Sequence, residues 1–120
     1  MKHLLVFGTL RVGDYNYNRF GGNQTYIKTF QLNGFSMFSL GPFPCVVKDK
    51  PLNTITVELH SIEDAAFEHV NDMEVGAGYI PEQIKVDGVL ATIYVYKSIP
   101  KNCKFIESGD WFQHKKYKNR

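Results

Sequence analysis

The chain has 120 residues, 43% hydrophobic and 22% charged, with a formal net charge of +2. That is the length and composition of one globular domain, which excludes two domains and disorder of the whole chain. Residues 114–120 hold four of the 14 Lys+Arg and none of the 12 Asp+Glu, so a mildly acidic body, 1–113, carries a basic tail.

Leu4-Leu5-Val6-Phe7 predicts a buried strand that breaks at Gly8-Thr9-Leu10. In such a turn successive backbone N–H groups converge on one spot, and their dipoles add to bind an anion. Glycine lets a ligand come close to that backbone. Residues 11–24 are polar and turn-rich, with Gly13, Asp14 and Gly21-Gly22-Asn23, and predict a loop with a short helical turn over Tyr15–Phe20. Thr25–Leu32 and Gly34–Leu40 predict two strands joined as a hairpin at Asn33-Gly34. Gly41-Pro42-Phe43-Pro44 ends that unit, because two prolines leave too few donors for a ladder. Asn53–His60 alternates, with Ile55, Val57 and Leu59 on one face and Thr54, Thr56 and Glu58 on the other.

One firm helix follows. Ser61 is its expected N-cap, with Asp64 three residues on, and Ile62, Ala66, Val70 and Met73 form an apolar stripe beside Phe67. Gly76 and Gly78 stop it. Tyr79–Val86 and Val89–Lys97 predict strands joined at Asp87-Gly88, the second apolar on both faces and therefore central. Lys104–Glu107 predicts a short last strand. Six or seven strands and one main helix give an α+β fold: a small mixed β-barrel or curved sheet packed against that helix.

Glu74 is the acid in the wrong place. On the helical wheel it falls about 20° from Phe67 and about 40° from Val70, so it completes an apolar stripe. Burial and the negative end of the helix dipole would both raise its pKa, which suits a general base. The other placement is a helix that frays at Met73 and leaves Glu74 in water.

The remaining reactive side chains point nowhere in particular. Cys45 and Cys103 lack metal or framework spacing and read as reduced thiols of a cytoplasmic protein. No segment reads as a signal peptide or a membrane span. His3, His60, His69 and His114 have no zinc spacing and read as surface or capping residues. Asp110 reads as a turn cap beside Trp111, and the basic tail as a solvated terminus. Tyr26, Phe30, Tyr94 and Tyr96 could stack on nucleic-acid bases, but an acidic body argues against phosphate binding.

Val6-Phe7-Gly8-Thr9-Leu10 resembles the Tyr-Gly-[Ser/Thr]-Leu signature of the γ-glutamylcyclotransferase-like (AIG2-like) family, with Phe7 in place of tyrosine. Asp72-Met73-Glu74-Val75-Gly76-Ala77-Gly78-Tyr79 is similar to the family's segment of catalytic glutamate, glycine loop and aromatic. Phe38–Pro44, Tyr94-Val95-Tyr96 and Ile106–Trp111 resemble its small bacterial members in the same order, so the likeness spans nearly all of residues 3–113. The resemblance implies Glu74 as acid/base and Phe7, Gly8, Thr9, Leu10 and Tyr79 as substrate-binding residues. It implies cyclisation of a γ-glutamyl amine or γ-glutamyl amino acid to 5-oxoproline, a small-molecule substrate, and no metal or organic cofactor. The alternative is a non-catalytic member that binds a small carboxylate or a partner protein. Oligomeric state is not legible in the sequence.

Overall fold

The computed structural model describes residues 1–20, 23–49 and 53–118. Gly21, Gly22, Asn119 and Arg120, expected in the loop and the tail, lie outside the described residues. In chain order the elements are β1 (Lys2–Val6), α1 (Tyr15–Phe20), β2 (Gln24–Asn33), β3 (Phe35–Ser39), β4 (Pro44–Lys48) and β5 (Thr54–Ile62). There follow α2 (Asp64–Gly76), β6 (Ile80–Val86), β7 (Val89–Val95), β8 (Lys104–Phe105) and α3 (Trp111–Lys118).

The strands form two curved layers. A five-stranded sheet runs β2-β5-β1-β7-β6, and a three-stranded sheet runs β4-β3-β8. Only the β1–β7 pair of the larger sheet is parallel. A single parallel bridge, Val47 to Tyr96, links the layers, with the Tyr96 N–H donating to the Val46 carbonyl at 2.9 Å. Leu4, Ile55, Val57, Ala91 and Ile93 from one sheet and Met37, Cys45 and Val46 from the other are fully buried in one core. Helix α2 covers that core with Val70 buried and Ala66, Phe67 and Met73 half-buried. The α+β class with curved sheets on one main helix is therefore the observed fold, open where a closed barrel would be sealed.

Several expectations are corrected by tertiary pairing. Asn33-Gly34 is not a hairpin. β2 pairs with β5 from Gln24 to Asn33, while β3 pairs with β4 and β8. Gly34, at φ +91°, is a corner where the chain leaves one sheet for the other. Its N–H donates to the Asn53 carbonyl at 2.7 Å, and its carbonyl accepts from the Asp49 N–H at 2.9 Å. The strand β3 does end before Gly41-Pro42, but Pro44 is not part of the stop: it is the first residue of β4, where a missing donor does least harm. Ser61 is not a cap, because β5 runs on to Ile62 in register with Lys2 and Gln24. Glu63 is the N-cap of α2, without a side-chain bond.

The Asp87-Gly88 turn is as expected. Both residues have positive φ, 50° and 82°, which matches the twist of a tight hairpin. β7 is central, between β1 and β6. The basic run expected as a solvated tail instead continues α3 through residue 118, so the division expected at residue 113 falls inside a helix. Lys115 is held there by Asp14 (Nζ to Oδ2, 2.8 Å).

Candidate active site

The end of β1 opens into a cavity of about 510 Å3. Phe7, Gly8, Thr9 and Leu10 line it from the β1 side, and Met73, Glu74, Ala77 and Tyr79 from the end of α2. All six candidate site residues thus meet in one place.

The turn is built from its own backbone. The Arg11 N–H closes it on the Gly8 carbonyl at 3.0 Å. The Thr9 carbonyl accepts from the Tyr17 N–H at 3.0 Å, and its hydroxyl accepts from Asn16 Nδ2 at 2.8 Å. The N–H groups of Gly8, Thr9 and Leu10 donate to no acceptor among the described residues. Gly8 is glycine for a reason the sequence did not suggest. A β-carbon there would lie 2.6 Å from the Pro44 ring, so the constraint is packing of β4 against the turn, beside the ligand space.

Glu74 sits in the last turn of α2. Ala77 closes that turn, its N–H donating to the Met73 and Glu74 carbonyls at 3.1 Å each. Gly78, at φ +94°, then reverses the chain, and the Tyr79 N–H returns to the Glu74 carbonyl at 3.0 Å. The loop therefore sets Glu74 and Tyr79 on the same cavity wall. The Glu74 carboxyl makes no hydrogen bond to a described residue, and burial pushes it from its usual 4.5 up to about 7. Such a group exchanges a proton readily near neutral pH. The Tyr79 hydroxyl donates to the Pro44 carbonyl at 2.7 Å, so this residue offers the cavity its ring. Burial and then the nearby Glu74 charge raise the Tyr79 and Tyr94 phenols above their usual range, so both stay protonated donors.

A second polar group supports the turn and was not foreseen. Glu58, on the face of β5 opposite Ile55, Val57 and Leu59, is buried with Arg11 against its carboxylate. Its carboxylate accepts from Arg11 Nε at 2.8 Å, the Val12 N–H at 3.0 Å and His60 Nε2 at 2.9 Å. Burial alone would raise the Glu58 pKa; these hydrogen bonds and the Arg11 charge outweigh it and hold it below 4.5. His60, expected at the surface, is fully buried. Gln24 Nε2 lies 2.9 Å from its Nδ1, an arrangement met by the tautomer with hydrogen on Nε2. Arg11 also donates to Asp110 Oδ1 at 2.9 Å and stacks 4.0 Å from the Phe112 ring centroid. Asp110 caps α3, as expected, accepting from the Phe112 N–H at 3.0 Å. The available signal was Arg11 itself, a cation directly after an apolar turn, and a glutamate in mid-strand. Among the described residues no three His, Cys, Asp or Glu side chains are grouped to hold a metal ion, and no helix is long and apolar enough to cross a membrane.

Residues 4–113 match the family described as gamma-glutamyl cyclotransferase, AIG2-like. A protein named as a candidate γ-glutamylcyclotransferase from Vibrio cholerae serotype O1 is 28% identical over 122 residues, covering 94% of this chain and 98% of that one. The γ-glutamylcyclotransferase family protein YtfP of Escherichia coli K12 is 27% identical over 114 residues, with the same coverage of 94% and 98%. Among solved structures, an uncharacterised protein from Pyrococcus horikoshii superposes with a TM-score of 0.84 at 24% identity, over 99% of this chain and 97% of that one. The solution structure of E. coli YtfP gives a TM-score of 0.71 at 26% identity, over 94% and 98%. The match spans both walls of the cavity, and the chain belongs to the γ-glutamyl cyclotransferase, AIG2-like family.

Proposed function

We propose that this protein is a γ-glutamylcyclotransferase-type enzyme with Glu74 as its general acid/base. The observation that carries the reading is one cavity that joins an unpaired glutamate, pushed up to about 7, to a turn with free amides. The substrate is a γ-glutamyl amine or γ-glutamyl amino acid. Its α-nitrogen attacks its own γ-carbonyl carbon, a carbon–nitrogen bond closes the five-membered ring, and the γ-amide bond breaks. Two protons pass from the α-nitrogen to the departing nitrogen. Glu74 takes each and returns it, so its own state is restored. The nucleophile is tethered, so rate comes from folding the substrate into a near-attack shape. The amides of Gly8, Thr9 and Leu10 stabilise substrate oxygens, and the Phe7 and Tyr79 rings enclose the glutamyl chain. We place the enzyme in the cytoplasm, in keeping with two free thiols.

The test is release of 5-oxoproline from a panel of γ-glutamyl compounds by wild type and Glu74→Gln. The variant keeps the shape of the site but cannot accept a proton, and is expected to lose at least about a hundredfold in turnover. Turnover retained in Glu74→Gln would remove Glu74 from the mechanism. No release from any compound, with 5-oxoproline still bound, would favour the non-catalytic carboxylate binder.

A further inference from the structure

The lining of the cavity divides by exposure. Leu4, Phe7, Leu10, Pro44, Tyr79 and Tyr94 are buried and form its floor. Tyr15, 64% exposed, and Phe43, 36% exposed, stand at the mouth with Pro42. They come from separate parts of the chain: Tyr15 opens α1, and Pro42-Phe43 form the turn between β3 and β4. That turn is well braced. The Leu40 N–H donates to the Phe43 carbonyl at 2.9 Å, the Gly41 N–H to Ser39 Oγ at 3.1 Å, and Gly41 takes φ +103°. Two aromatic rings and a proline therefore form an apolar rim on ordered backbone. Apolar side chains around the mouth of a cavity suit contact with an apolar part of a ligand.

On the cyclotransferase reading, the glutamyl unit lies on the floor between the free amides and Glu74, and the departing amine extends to the mouth. A glutamyl unit fills only part of about 510 Å3. Pockets of roughly 300–1,000 Å3 hold drug-sized ligands, so the remaining space takes a substantial group. The charged side chains in the described lining are Asp14 and Glu74, and Asp14 is already paired with Lys115. A γ-glutamyl amino acid would bring a second carboxylate, which finds no cation among the described lining residues.

We propose that the preferred substrate is a γ-glutamyl conjugate of an apolar alkyl or aryl amine, seated against Tyr15, Pro42 and Phe43. These three are specificity-determining residues, and the inference rests on the cyclotransferase reading. Contact with the departing group is remote from the reacting atoms, and its binding energy is expressed in kcat/KM. Each methylene removed from water is worth roughly three- to fourfold.

The experiment measures kcat/KM of the full chain for matched γ-glutamyl conjugates of methylamine, benzylamine, phenylalanine and 1,4-diaminobutane. The benzylamine conjugate is expected to exceed the methylamine conjugate by about tenfold or more. It is also expected to exceed the phenylalanine conjugate, which adds a carboxylate, and the diamine, which adds an ammonium. In Phe43→Ala and Tyr15→Ala the benzyl-to-methyl ratio should fall by about fivefold, and both sites are exposed enough to tolerate truncation. Equal rates across the series would overturn the inference while leaving the cyclotransferase reading intact. So would a preference for the carboxylated or cationic group, or a ratio that neither variant changes. No turnover of any conjugate would sink both.

Discussion

Glu74 combines function and cost in one side chain. Its carboxyl is pushed up to about 7, so it is half ionised near neutral pH. The acid limb of kcat/KM is expected to rise between pH 5 and 8 with a midpoint near 7; a midpoint near the usual 4.5 would mean that another group acts as the base. The same shift fixes a stability effect. The folded pKa lies above the unfolded one, so the favourable contribution is full below 4.5 and is lost as pH rises to about 7. Above that pH the fold carries an unpaired carboxylate. Glu74→Gln should therefore stabilise the protein by about 1–2 kcal/mol at pH 8, allowing for solvent that reaches the group through the cavity. The gain should vanish near pH 4. Urea denaturation at the two pH values measures it.

Glu58 has the opposite sign. Its folded pKa is lowered, so its contribution is present above 4.5 and is lost as pH falls through the folded value. Arg11→Met leaves that carboxylate buried without its cation. A loss of about 3–5 kcal/mol at pH 7 is expected, shrinking in acid as Glu58 becomes protonated. A variant as stable as wild type at pH 7 would show that the Arg11–Glu58 pair contributes nothing net.

At the scale of elements, α3 supports the site from behind. Trp111 is fully buried, and its Nε1–H donates to Asp14 Oδ2 at 3.2 Å, an oxygen that Lys115 shares. Asp14 also lines the cavity and accepts from the Tyr15 N–H at 2.7 Å through Oδ1. Helix α3 thus holds the loop that carries the free amides and, at the mouth, Tyr15. Trp111→Ala should cost about 3–5 kcal/mol. Lys115→Ala removes a part-exposed ion pair and should cost under about 1 kcal/mol, while weakening substrate binding through the looser loop. Thermal melts and KM for one substrate separate the two effects. Unchanged KM in Lys115→Ala would detach the helix from the site.

At the scale of the molecule, two glycines with positive φ join distant parts of the fold, in different surroundings. Gly34, at φ +91°, turns the chain from one sheet to the other, with open space where a β-carbon would go. Gly34→Ala should cost about 1–2 kcal/mol, the backbone strain alone. Gly109, at φ +66°, lies against β5, where a β-carbon would clash with the Thr54 carbonyl. Its own carbonyl accepts from the Thr56 N–H at 2.8 Å. Gly109→Ala should cost more than Gly34→Ala, because strain and overlap with rigid backbone act together. Equal losses in chemical denaturation would mean that the segment before α3 yields freely.

Local chemistry accounts for what the sequence determined. Periodicity and turn residues placed β1, α1, β6, β7 and most of α2 and β5, because those patterns depend on near neighbours in the chain. Glu74 was legible as a charge that completes an apolar stripe, and Gly8-Thr9-Leu10 as a break after a buried strand. Pairing partners were not legible. Asn33-Gly34 is a strong local hairpin signal, yet β2 forms its long ladder with β5, and only tertiary structure weighs that ladder against a turn. β4 was missed because Pro44 was read as a stop, whereas an edge strand loses little by starting with proline. Glu58 and His60 followed an alternating pattern that cannot tell water from a buried Arg11 supplied by another loop. The free amides and Glu74 lie 64 to 66 residues apart in the chain. Their meeting in one cavity was decided by the tertiary fold, since distance in space is set by the whole core and not by any local pattern.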